Sequence, residues 1–138
     1  MTAACTFCSI VRGEIPALVV LDEPQVLAFL DIRPLFHGHV LLVPKTHVET
    51  LGDAPAELVP PLFLAAQRLA RAVERGLEAE GTFVAMNNRI SQSVPHLHVH
   101  VVPRRRKDGL KGFFWPRTKY ASDAEAESAR DRIVAALE

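Results

Sequence analysis

The chain has 138 residues, 49% of them hydrophobic, and its 16 basic and 16 acidic side chains cancel. That length suits one domain with a core of its own. Its apolar runs fall far short of the ~20 residues of a membrane span, and no charged head followed by an apolar core marks a signal peptide. Balanced charge gives no bulk attraction to nucleic acid or a membrane, so neither is expected as a partner and a cytoplasmic protein is the default.

In chain order, residues 19–21, 26–31, 40–43, 82–87 and 96–102 read as five short strands rich in Val, Leu and Phe. Asp22-Glu23-Pro24 separates the first two, and the stretch from Arg33-Pro34 to Gly38 the next two. Between the third and fourth strands, Leu62, Ala66, Leu69, Val73 and Leu77 recur every three or four residues. They form the stripe of an amphipathic helix ending near Glu80-Gly81, with Pro60-Pro61 in its first turn. A second helix is expected over 122–137. Ser122 and Glu125 supply a capping box, and Ala126, Ala129, Ile133 and Leu137 the stripe. Strands, an inserted helix and a last strand bearing the chemistry make an α+β domain with a mainly antiparallel five-stranded sheet and two helices. No repeat or linker divides it: residues 1–138 form a single domain, with a motif-bearing core over 1–104 and a variable tail over 105–138.

The fifth strand carries the densest chemistry. His96, His98 and His100 are half of the six histidines and alternate with aliphatic residues. On a strand they share one face, while Leu97, Val99 and Val101 pack on the other. Imidazole is a nucleophile, a proton shuttle and a metal ligand near neutral pH. Alternate strand residues lie ~6.5–7 Å apart, so the outer pair reaches a common ion poorly and a division of labour is expected. Gln92 and Ser93 stand just before the strand, where an amide and a hydroxyl can hold phosphate oxygens. Cys5 and Cys8 form a C-x2-C pair, which reads as half of a metal site, a redox pair or reduced thiols. His47 and His96 are of the right type to complete a Cys2His2 tetrahedron.

These blocks together closely resemble the histidine triad (HIT) hydrolase and transferase superfamily. The anchors are Cys5-Thr6-Phe7-Cys8-Ser9-Ile10 with Gly13-Glu14-Ile15-Pro16, Ala28-Phe29-Leu30-Asp31-Ile32-Arg33-Pro34, Gly38-His39-Val40-Leu41-Leu42-Val43-Pro44-Lys45-Thr46-His47, and Gln92-Ser93-Val94-Pro95-His96-Leu97-His98-Val99-His100. The resemblance implies a nucleotide hydrolase or transferase cleaving at the α-phosphate of purine nucleotide derivatives, phosphoramidates or dinucleoside polyphosphates. His98 matches the nucleophile that forms a nucleotidyl-histidine, His100 a phosphate contact, and His39 a member of the proton network. Asp31 matches the acid that holds the ribose hydroxyls. Phe7, Ile10, Phe29 and Ile32 look like the base slot, and Asn87, Gln92 and Ser93 like phosphate and leaving-group contacts. The family's C-x2-C members imply a structural zinc on Cys5, Cys8, His47 and His96, and a homodimer in which two sheets join into ten strands.

Two departures qualify the resemblance. The run Asn87-Asn88-Arg89-Ile90-Ser91-Gln92 is about two residues shorter than the family's loop and has Ser91 where glycine is usual. That motivates an alternative, a zinc-stabilised nucleotide-binding module with little catalysis. In the tail, Arg104, Arg105 and Arg106 read as contacts to far phosphates or as a solvated turn. Trp115, after Gly112-Phe113-Phe114, reads as a core plug or, second to that, as a cap on a base, and His37 as a surface residue.

Overall fold

The computed structural model describes residues 4–112 and 115–138, so Phe113 and Phe114 lie outside the described residues. The chain forms two compact units, Met1–Asp108 and Gly109–Glu138. In the first, α1 (Thr6–Val11) precedes β1 (Val19–Asp22), β2 (Val26–Leu30) and β3 (Val40–Pro44). Then come 3-10 turns at Leu51–Asp53 and Ala56–Leu58, α2 (Val59–Gly76), β4 (Gly81–Ala85) and β5 (Val99–Arg104). The strands lie in the order β1-β2-β3-β5-β4, and every pairing is antiparallel. This is the expected five-stranded α+β sheet, with three α-helices among the described residues where two were expected.

The central strands are buried on both faces, which their continuous apolar runs require. Val26, Ala28, Val40, Leu42, Leu97, Val99 and Val101 pack with Leu62, Ala65, Ala66, Leu69 and Val73 of α2. Leu27, Phe29, Leu41 and Val43 face the other way and pack with Phe7 of α1. The α2 stripe is the expected one except for Leu77, which follows the helix and is 40% exposed. At that point the helix has ended, so the apolar period no longer points at the sheet.

α1 is the helix that no apolar period announced. Six residues are too few to show a stripe, and its N-cap is a cysteine: Cys5 Sγ accepts from the Cys8 backbone N–H at 3.4 Å. In the second unit, α3 (Asp123–Ala136) starts as expected, with Ser122 Oγ accepting the Glu125 N–H at 3.2 Å. Its stripe does not become a core: α3 has no buried residue, and Ile133 is 64% exposed. Trp115 is 63% exposed, so it does not plug the core. Among the described residues, no helix is long and apolar enough to cross a membrane.

Candidate active site and metal centre

The register sets the site. Phe29 pairs with Leu41, Leu41 with His100 and His100 with Ala85, one row across β2, β3, β5 and β4. Since Leu97, Val99 and Val101 take the α2 face, His96, His98 and His100 emerge toward α1. His39, two residues before Leu41, joins them. The histidine run enters the sheet later than expected, because β5 begins at Val99. Before it, the backbone is held by loops: Leu97 N–H donates to Val48 O at 2.7 Å and His96 N–H to Val94 O at 2.8 Å.

The partners of each imidazole fix its tautomer. A carbonyl can only accept, so His98 Nδ1–H donates to His96 O at 2.8 Å. Its Nε2 then carries the lone pair, on a ring only 4% exposed that lines a cleft. His39 Nδ1 accepts the Leu35 backbone N–H at 3.1 Å, which leaves the proton on Nε2. That proton is donated to His100 Nδ1 at 2.9 Å, so His100 presents Nε2–H. Leu35, His39 and His100 thus form a one-directional relay. Burial pushes the His100 pKa down to about 4, helped by the charges His98 and His39 would carry and opposed by Asp31. Burial also lowers His39, against the pull of Asp31.

The cleft encloses about 490 Å³. Its lining brings together Phe7, Ile10, Phe29, Asp31, Ile32, Ser93, His98 and His100, eight of the predicted catalytic and substrate residues. Phe7 packs edge-on against Phe29, His96 and His98, at centroid distances of 5.5, 5.9 and 5.1 Å. Ile32 is 94% exposed at the rim. Asp31 Oδ1 accepts the Arg33 backbone N–H at 2.8 Å, and Oδ2 stands 3.8 Å from His39 Nε2.

Cys5, Cys8, His47 and His96 converge on one point, their ligand atoms all within 4.8 Å of one another. His96 Nε2–H donates to Pro44 O at 2.8 Å, which turns the Nδ1 lone pair toward the group. That atom lies 3.4 Å from Cys5 Sγ, 3.5 Å from Cys8 Sγ and 3.1 Å from His47 Nδ1. Burial raises the Cys8 pKa, as do the hydrogen bond and charge of Cys5, with Arg12 opposing. Two sulfurs and two imidazoles with facing lone pairs are the donor set a tetrahedral zinc takes. Asp31, His39 and His100 also cluster. There, however, His39 Nε2 carries a hydrogen because Nδ1 already accepts, so that cluster is a proton relay and not a cation cage.

Asn87 and Gln92 hold the loop and do not line the cleft. Asn87 Nδ2 donates to Ser91 O at 3.2 Å, while Gln92 accepts the Arg89 N–H at 2.9 Å and donates to Glu49 O at 2.6 Å. Ser91 adopts φ 60°, the left-handed conformation that glycine takes most easily. The tail arginines are bound to the fold. Arg104 pairs with Asp108 at 2.6 Å, Arg105 donates to Leu77 O at 2.5 Å, and Arg106 pairs with Glu80 at 3.1 Å. Arg105 and Arg106 lie on an exposed turn, as one of the two readings has it, with Arg104 half-buried at its start. His37 is exposed, as expected. Among the cleft residues without a prior assignment, Thr6 and Arg33 are polar, and the signal for Arg33 was its place directly after Asp31-Ile32.

An antiparallel sheet presenting alternate, tautomer-locked histidines to a cleft, next to a Cys2His2 cluster, defines a histidine-triad domain. The HIT domain family model matches residues 12–107, and the chain belongs to that family. It is 37% identical over 129 residues to the protein Hit of Bacillus subtilis, covering 92% of this chain and 88% of that protein. With the adenosine 5′-monophosphoramidase HNT1 of Saccharomyces cerevisiae it shares 37% identity over 111 residues, 80% of this chain and 69% of the relative. A zinc-bound histidine triad family protein from Mycobacterium smegmatis superposes with a TM-score of 0.74 at 37% identity, covering 97% of this chain and 98% of that one. Nucleotide hydrolysis is thus chemistry found within the family.

Proposed function

We propose that the protein is a nucleotide hydrolase or transferase that cleaves purine nucleotide derivatives at the α-phosphate. The observation that carries this is the His98 tautomer: Nδ1–H is tied to His96 O at 2.8 Å, so the lone pair sits on Nε2 of a ring lining the cleft. Nε2 attacks the α-phosphorus, forming an N–P bond as the bond to the leaving amine or phosphate breaks. Water then attacks the same phosphorus and gives up one proton, which balances the one the leaving group takes up in the first step; the N–P bond breaks, and a nucleoside monophosphate leaves with the lone pair restored to His98 Nε2.

His100 Nε2–H donates to a non-bridging phosphate oxygen, where charge builds up in a phosphoryl-type transition state. His39 keeps that proton in place through Nδ1 of His100. Ser93 supplies a hydroxyl to the phosphate or leaving group. Asp31 accepts from the ribose hydroxyls, and Phe7, Ile10, Phe29 and Ile32 enclose the base. Asn87 and Gln92 act by ordering the loop that carries Ser93.

Cys5, Cys8, His47 and His96 hold a structural zinc in this reading. The group supplies a fixed link between α1 and the histidine run, and takes no part in the reaction. Two copies pair into a ten-stranded sheet, and sedimentation equilibrium at micromolar concentration then gives twice the chain mass.

The test is release of nucleoside monophosphate from adenosine 5′-phosphoramidate and from diadenosine polyphosphates, with His98→Asn as control. Release that disappears in the variant supports the enzyme and its nucleophile. Nucleoside monophosphate binding with no release from any substrate favours the alternative, a binding module, for which the short loop with Ser91 at φ 60° is the motivating feature.

A further inference from the structure

Six polar side chains line the cleft: Thr6, Asp31, Arg33, Ser93, His98 and His100. On the nucleotide reading above, on which this inference rests, Ser93, His98 and His100 serve the phosphate and Asp31 the ribose. Thr6 and Arg33 are left to meet the base. Among the described residues, Arg33 is the one lysine or arginine in the lining, and it is exposed. It follows Asp31 and the exposed Ile32 in a single turn, closed by the Arg33 N–H to Asp31 Oδ1 bond of 2.8 Å. Arg33 therefore stands on the side of the cleft that carries Asp31 and Ile32, whereas the groups assigned to the phosphate come from residues 93–100.

We propose that Arg33 reads the base, making the cleft select 6-oxopurine nucleotides, guanine above all, over adenine ones. A guanidinium only donates. Guanine presents two adjacent acceptors, O6 and N7, which a guanidinium engages with two parallel hydrogen bonds. Adenine presents N7 beside the N6 amino group, so one guanidinium N–H would face another donor. The apolar residues Phe7, Ile10 and Phe29 stack on any purine, and they leave the choice between bases to Arg33.

The test compares kcat/KM for guanosine, inosine and adenosine 5′-phosphoramidates in the wild-type protein, Arg33→Ala and Arg33→Gln. Calorimetric Kd values for GMP and AMP are measured in parallel. Wild type is expected to favour guanosine over adenosine on the order of tenfold, the lower part of the range for a bidentate pair because the rim is solvated. Inosine, which keeps O6 and N7, follows guanosine. Arg33→Ala brings the ratio to within about twofold, and Arg33→Gln moves it toward adenosine, since an amide can both accept from N6 and donate to N7.

A wild-type ratio near one overturns the proposal, as does an equal loss for all three substrates in Arg33→Ala, which would make Arg33 a countercharge for phosphate. Inosine behaving like adenosine overturns it too, because the 2-amino group would then be what is read. A GMP-over-AMP preference in binding without turnover of any substrate supports Arg33 and overturns the hydrolase reading. Absence of binding to both nucleotides overturns both.

Discussion

His39 Nε2 and His100 Nδ1 lie 2.9 Å apart, and the Leu35 N–H behind them decides which ring carries the shared proton. Because a backbone amide cannot accept, the direction of the whole chain is set from its far end. His100 then offers a hydrogen to the cleft while staying neutral. This arrangement supplies a donor to a phosphate without burying a charge, which a half-buried imidazolium would make costly.

His39→Ala removes the donor that pins His100, so kcat for adenosine 5′-phosphoramidate should fall by about 100-fold, the lower end of the usual contribution of a positioned proton donor. KM should change little. His39→Gln keeps an N–H within reach of His100 Nδ1 and should recover much of the loss. Equal kinetics for Ala and Gln variants would dismiss the relay.

The same pair makes stability depend on pH in a defined direction. In the unfolded chain a histidine takes its proton near pH 6.5, whereas native His100 resists until about 4. Between those values the unfolded state binds more protons, so stability falls as the pH drops through that window and levels off below it. Burial lowers His39 as well, adding in the same sense. Urea denaturation at about pH 7 and at about pH 4.5 should show a loss for wild type that is smaller for His100→Gln by about 1–2 kcal/mol, after discounting for partial exposure. An identical pH dependence in the two proteins would refute this.

Metal analysis of the purified protein should give one zinc per chain. Cys8→Ser should lose it and lower Tm by on the order of 10 °C, since binding energy at a structural site is folding energy. A metal-free preparation with an unchanged melt would contradict the assignment of Cys5, Cys8, His47 and His96.

Leu62 is fully buried against the sheet face that carries no histidine. Leu62→Ala should cost about 3 kcal/mol of stability through the cavity it leaves. Turnover per folded molecule should be retained. A variant that folds but has lost kcat would show that the two faces of the sheet are coupled after all.

Much of this architecture was legible because periodicity and burial agree. Val, Leu and Phe runs gave the strands, and Leu62, Leu69 and Val73 gave the long helix. The alternation of His96, His98 and His100 with Leu97 and Val99 places three rings on one face from the sequence alone. What escaped was local chemistry with no period. α1 is too short for a stripe and is capped by Cys5, a residue outside the usual capping set. Gln92 and Asn87 have the right types for phosphate contacts, yet they spend their amides on Glu49, Arg89 and Ser91. Arg104 and Arg106, at the end of β5 and just after it, looked like ligands because their acidic partners, Asp108 and Glu80, come from turns whose approach a linear reading does not show. Leu35, which orients the relay through its backbone, leaves no trace in the side-chain sequence at all.

The bond from His98 Nδ1–H to the carbonyl of His96 joins residues only two positions apart. Closing so small a loop costs little chain entropy, so the aim of the attacking nitrogen is written into a three-residue segment. Distant substitutions that loosen the molecule reach the binding walls, assembled from α1, β2 and β3, well before they reach this segment. Damage to the protein therefore appears first as weakened affinity, and only with global unfolding as a blunted nucleophile.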